Sequence, residues 1–196
     1  MPPLAWHGAT HLSLADETCE RSITLELELA SRIFTSLGRR PECIVFPRNR
    51  VGHLCRLHSA GFRTYRDSAD RSGLGRVVSL LNELNAFSRC ERRPPELRGG
   101  WRVCRPGDFL NWPRGARALA PTSATIARWK SMLRDAAETG GTAHMWFHPH
   151  NLITAPAMQT SFEEIMRFAG ELTRNGDLAN LTMGQSVAFL DGAQVA

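Results

Sequence analysis

Cys43-Ile44-Val45-Phe46-Pro47-Arg48-Asn49-Arg50-Val51-Gly52-His53-Leu54, running on to Ala60-Gly61-Phe62-Arg63-Thr64-Tyr65, decides the fold. Cys43 to Phe46 is a short, unbroken apolar run, the pattern of a strand buried on both faces. The turn Pro47-Arg48-Asn49-Arg50 follows, then a helix from Val51 to Ala60 that Gly61 ends. Phe62-Arg63-Thr64-Tyr65 reads as the next strand. Strand, helix and strand at these spacings form a βαβ unit, which predicts a parallel sheet.

Working outward, Ile23, Leu27, Ala30, Ile33 and Leu37 have helical spacing between Asp16 and Leu37, and Gly38 stops the run. The inner run Leu25-Glu26-Leu27-Glu28-Leu29 alternates like a strand, but the length and the glycine stop decide for helix. Downstream, a helix is expected from Leu74 to Phe87 with Val77, Val78, Leu81 and Leu84 on one face. Arg89 to Gly100 has the composition of a surface connection. Trp101 to Cys104 reads as a strand, Arg105 to Thr122 as irregular, and Ser123 as the cap of a helix reaching Thr139 before Gly140-Gly141. Ala143 to Phe147 is another strand. Thr160-Ser161-Phe162-Glu163-Glu164 offers two overlapping capping boxes for a helix ending near Gly176, and Ala179 to Thr182 is a last strand candidate with a short helix after it.

Composition narrows the function classes. The chain has 196 residues, 42% of them hydrophobic and 22% charged, which suits one folded domain over 1–196 and excludes low-complexity or collagen-like chains. Nothing approaches the ~20 apolar residues of a membrane span. Met1-Pro2-Pro3-Leu4-Ala5-Trp6 has no signal-peptide pattern, so the expectation is a cytoplasmic location for the chain as it stands, the alternative being a targeting segment lost upstream. The net charge of +5 comes almost wholly from arginine, Lys130 being the single lysine. The arginines are scattered and form no basic helix face, so nucleic acid is not an expected partner. Cys19, Cys43, Cys55, Cys90 and Cys104 form no CxxC pair and are odd in number, which argues against a disulfide framework and a cysteine zinc site. Most are expected to be small buried residues in a reducing compartment.

In parallel α/β folds, chemistry gathers on loops at the C-terminal ends of strands. Three polar clusters compete for it. In His7-Gly8-Ala9-Thr10-His11, two imidazoles four apart would share one face of a helical turn and could reach one metal; the plainer reading is a solvated N-terminal segment. Met145-Trp146-Phe147-His148-Pro149-His150-Asn151 delivers His148 at the end of an apolar strand. There it could transfer a proton near neutral pH or merely cap the strand end. Arg48, fixed by Pro47 at a strand end, could grip a carboxylate or an anionic substrate, or belong to a surface turn that Asn49 caps. No Gly-x-Ser-x-Gly elbow, Walker loop or GxGxxG motif occurs.

Taken together, His-x-x-x-His, strand–Phe46-Pro47-Arg48-Asn49–helix and a late strand ending in His148 resemble the polysaccharide deacetylases, the NodB-homology domains of carbohydrate esterase family 4. The segments Phe46–Leu54, Ala60–Arg66 and His144–Leu152 carry the resemblance, which spans His7 to about Met183. It implies an α/β fold, a distorted (β/α)7-type barrel with parallel strands, and hydrolytic removal of acetyl groups from N-acetylated sugars by a divalent metal, commonly zinc. By position His7 and His11 match metal ligands, His148 the general acid toward the departing amine, and Arg48 the arginine that orients a catalytic aspartate.

Three departures qualify that implication. Gly8 stands where the family has Ser or Thr, and Arg48 follows Pro47 where the family has Arg-x-Pro. The family's Thr-Phe-Asp-Asp strand belongs upstream of the histidines. With six residues before His7, the expectation is an incomplete barrel lacking the aspartate base and ligand, with impaired turnover. The rival expectation is a non-catalytic carbohydrate- or partner-binding remnant that stacks sugars on Trp101, Trp112 and Trp146. A metal protein unrelated to sugars would need a carboxylate such as Asp16 beside both histidines.

Overall fold

The structure, a computed structural model, describes residues 4–68, 73–85 and 87–188, so Met1-Pro2-Pro3 lies outside the described residues. In chain order the elements begin β1 (Ala5–Trp6), α1 (Glu20–Ser36), β2 (Cys43–Ile44), α2 (Leu54–Ser59), β3 (Thr64–Arg66), α3 (Gly73–Glu83), β4 (Glu96–Arg98) and β5 (Trp101–Cys104). They continue with β6 (Asp108–Phe109), α4 (Thr122–Thr139), β7 (Met145–Trp146), α5 (Pro149–Thr154), α6 (Pro156–Asn175) and α7 (Met183–Ala188). The fold is mixed α/β with a mainly parallel sheet. The chain divides into two compact units. Met1–Ala69, Pro95–Pro106 and Leu181–Ala196 form the first; Asp70–Pro94 and Gly107–Asn180 form the second.

In the first unit the strand order is β1-β2-β3-β5-β4. β1, β2, β3 and β5 run parallel, with Ala5 opposite Cys43, Cys43 opposite Thr64 and Thr64 opposite Arg102. Both residues of β2 and all three of β3 are buried, as the apolar run at Cys43 requires of an inner strand. The antiparallel β4 lies in the stretch read as a surface connection. Gly99 and Gly100 have φ of 57° and 81° and join β4 to β5 with Arg98 opposite Trp101. Positive φ at both central residues is the geometry that suits a two-residue hairpin to strand twist.

The helix before β2 forms as its spacing predicts, but it starts at Glu20 and buries a different stripe. Ile23, Glu26, Ala30 and Phe34 face inward, while Ile33 and Leu37 are exposed. Trp6, Phe34 and Phe62 meet in series, at ring separations of 5.9 and 6.3 Å, and Tyr65 packs edge-on against Phe46 and Trp101. The helix after β2 starts at Leu54, three residues later than expected, because the backbone is left-handed at Arg48, Asn49 and His53. Asn49 does not cap it. The Asp16 carboxylate instead accepts the His53 amide at 2.7 Å. Gly52 lies so close to the segment before α1 that a Cβ there would stand 2.5 Å from the Leu14 oxygen and the Asp16 nitrogen.

In the second unit β6 and β7 pair in parallel, Phe109 opposite Trp146. The core joins Leu110, Trp129, Met132, Leu133, Met158 and Ile165. Gly140, at φ 69°, ends α4 as the sequence indicates, but Pro121, not Ser123, occupies the N-cap. Thr160 and Ser161 are interior to α6, bonding back to the carbonyls of Pro156 and Ala157, so their capping boxes are not used. The Ala179–Thr182 strand does not form. Thr182 and Gln185 instead cap α7 of the first unit reciprocally.

The expected apolar face of α3 is also reversed. Val77, Val78, Leu81 and Leu84 are exposed, whereas Glu83 is buried at 2%. Arg117 donates to Glu83 at 2.9 Å, and the buried Arg128 bonds Glu83, Ser88 and Asp108. Among the described side chains of this helix, Glu83 is the buried one, and charge pairing holds it.

Candidate functional site

His7 leaves the end of β1, and its Nδ1 lies 2.8 Å from the carbonyl oxygen of Val45. A carbonyl only accepts, so Nδ1 is the donor of this bond. His11 stands edge-on to it, ring centroids 5.0 Å apart. The pairing forms, but not on a helical turn. Residues 7–11 are a loop, left-handed at Gly8 (φ 83°) and His11 (φ 57°), and this loop folds the two imidazoles together.

Glu26 holds that loop. It is 2% exposed on the inward face of α1. Oε1 accepts the amides of Ala9 and Thr10, the latter at 3.3 Å, and Oε2 accepts the Thr10 hydroxyl at 2.9 Å. A Cβ at position 8 would stand 3.0 Å from Glu26 Oε1 and 3.2 Å from Pro47 Cγ, so the close approach and the positive φ together call for glycine. The sequence carried a signal for Glu26. It lies three residues after Ile23 and four before Ala30, on the buried stripe of a helix where a carboxylate must find donors.

The same glycine contact sets the Pro47–Asn49 turn beside the histidine loop. Arg48 is exposed on that turn, at φ 56°. The buried arginine of this sheet edge is Arg66, which ends β3 and donates to Asn49 Oδ1. Burial lowers its pKa from the usual guanidinium value. In the sequence Pro47 marks Arg48, whereas the signal for Arg66 is its place at the end of a parallel strand.

His148 belongs to the second unit. It leaves β7 as the N-cap residue of α5, exposed, stacked on His150 at 5.4 Å and edge-on to Trp146 at 6.0 Å. Beyond β6 and β7, Asn111 and Asn151 are buried at 4% and 1%, and the Oδ1 of each has no hydrogen-bond partner among the described residues. Such amide oxygens accept hydroxyl or amide protons. Of the three tryptophans considered for stacking, Trp101 is ruled out, being buried against Tyr65 and His58. Trp112 and Trp146 are half-buried.

A catalytic zinc takes three protein ligands and one open position. Among the described residues no group of three His, Cys, Asp or Glu side chains is placed to hold a metal; His7 and His11 are two adjacent imidazoles with no third such group beside them. Asp16 and Glu26 are already engaged by backbone amides. The site therefore meets zinc's requirement in part only. No helix among the described residues is long and apolar enough to cross a membrane. No protein-family model, curated protein or solved structure matches the chain.

Proposed function

We propose that this chain is a carbohydrate-directed domain of the polysaccharide-deacetylase type, a hydrolase fold acting on N-acetylated sugars. Its α/β architecture would be an arc of that family's distorted (β/α)7-type barrel. One observation carries the reading: two imidazoles, brought together at the C-terminal end of β1 by a loop that a buried carboxylate holds. In the first unit His7 and His11 would be the metal donors; in the second, His148 at the end of β7 is the residue that the same family resemblance would make a general acid. Arg48 would orient a carboxylate, its backbone fixed by the turn after Pro47. Five free cysteines support a reducing compartment such as the cytoplasm.

The engagement of Asp16 and Glu26 elsewhere favours a second reading, a sugar-binding module without turnover. One experiment separates the two. N-acetylglucosamine oligomers are offered to the chain with added zinc, and binding and acetate release are both measured. The deacetylase reading expects slow release that a chelator abolishes and that falls at least about tenfold in H7A and H11A. Sugar affinity unchanged by H7A and H11A, with no acetate released, selects the binding module. Absence of both sugar binding and zinc binding overturns the carbohydrate assignment.

A further inference from the structure

A carboxylate in the middle of a helix, 2% exposed, must be stabilised by donors it can reach. Among the described residues Glu26 forms no ion pair, and its partners are neutral donors. All three of its hydrogen bonds come from Ala9 and Thr10, two of the three residues between His7 and His11. The residues on either side of that pair are the ones with left-handed backbone, Gly8 and His11, and Gly8 packs directly against the same carboxylate. We infer that Glu26 is the positioning residue of the imidazole pair: it selects the one loop conformation in which the His7 and His11 rings face each other. The role rests on reading His7 and His11 as the working pair of the site, and it concerns the arrangement of the rings whether or not a metal is bound.

The chemistry of the three contacts predicts how substitutions rank. Alanine removes every acceptor and leaves the Ala9 and Thr10 amides without a partner. Aspartate keeps the charge but is one methylene short. Glutamine keeps one carbonyl oxygen for both amides, and its NH2 can donate to the Thr10 hydroxyl, which then serves as acceptor. Glutamine should therefore rescue the geometry that alanine loses. A residue that merely fills space would not distinguish these two outcomes.

The test uses the full chain, without metal, in solution NMR. In the unaltered protein, imidazole protons of His7 and His11 show cross-relaxation, as a 5.0 Å ring separation requires. E26A is expected to abolish it and to speed exchange of the Ala9 amide by at least about tenfold, with the α1 resonances otherwise retained. E26Q is expected to keep the ring contact. If E26A does not fold, E26D takes its place with the same expected loss. Ring contact that persists in folded E26A or E26D, or that is lost equally in E26Q, overturns the inference. Zinc titrated into the same samples tests the metal assignment separately. Rings that separate in E26A while the unaltered protein binds no zinc uphold the positioning role and remove the metal reading.

Discussion

At position 8 the backbone is left-handed and a methyl group would press on the Glu26 carboxylate and the Pro47 ring. G8A is expected to lower stability by about 1–3 kcal/mol, read as a shift in the denaturation midpoint at constant m-value. Gly38 also has positive φ, but nothing lies within 4 Å of its would-be Cβ, so G38A should cost less than G8A in the same measurement. The thiols give a second contrast. Burial pushes Cys43 up to about 12 and Cys104 up to about 11, while the exposed Cys19 is lowered by hydrogen bonds from Ser22. Limited alkylation near pH 8, followed by mass spectrometry, should label Cys19 before Cys43 or Cys104.

Two helices each bury a glutamate, and they satisfy it by opposite means. Glu26 on α1 uses neutral donors from a loop; Glu83 on α3 uses Arg117 and Arg128. Removing one partner from a buried ion network leaves an uncompensated charge. R128A is therefore expected to cost about 3–5 kcal/mol, measured by chemical denaturation. Burial raises the Glu83 carboxyl above its ordinary value of 4.5, against the opposing pull of the two arginines. The native state then holds this proton more tightly than the unfolded chain does. Its contribution to stability is full below about pH 4.5 and is lost as pH rises through the raised value. E83Q should remove that part of the pH dependence, giving a flatter stability profile just above pH 4.5 than the unaltered protein. These elements also show where sequence reading reaches its limit. Patterns of apolar residues located α1 and α3, but their inward sides are fixed by partners distant in sequence, Ala9 and Thr10 for one, Arg117 and Arg128 for the other.

For the whole molecule, the alternation of strands and helices made the parallel sheet legible, and the apolar run at Cys43 named its inner strand. The β4–β5 hairpin was readable in principle from Gly99-Gly100. The two-residue β6 was not, because so short a strand shows no periodicity. His7, His11, Arg48 and His148 were legible as candidates by residue type and position, yet the loop that pairs the first two depends on Glu26, across a separation no local pattern spans. The division into two units was hidden for a similar reason: the first is assembled from three separate stretches of chain. Its last contribution, α7, buries Val187 and brings Ser186 to 3.9 Å from the Cys104 sulfur. A chain ending at Asn180 is therefore expected to make Cys104 alkylatable under the conditions that spare it in the full chain, with intact-mass analysis as the readout. The same threading bears on synthesis. As the polypeptide leaves the ribosome, β3 waits for β5 to emerge before its second neighbour exists, and every residue of the second unit is made before α7. The nascent sheet thus has all its strands once Cys104 is made but spends the later part of translation without the helix that packs on β3 and β5, and holdase chaperones that shield that uncovered surface should raise the yield of folded protein.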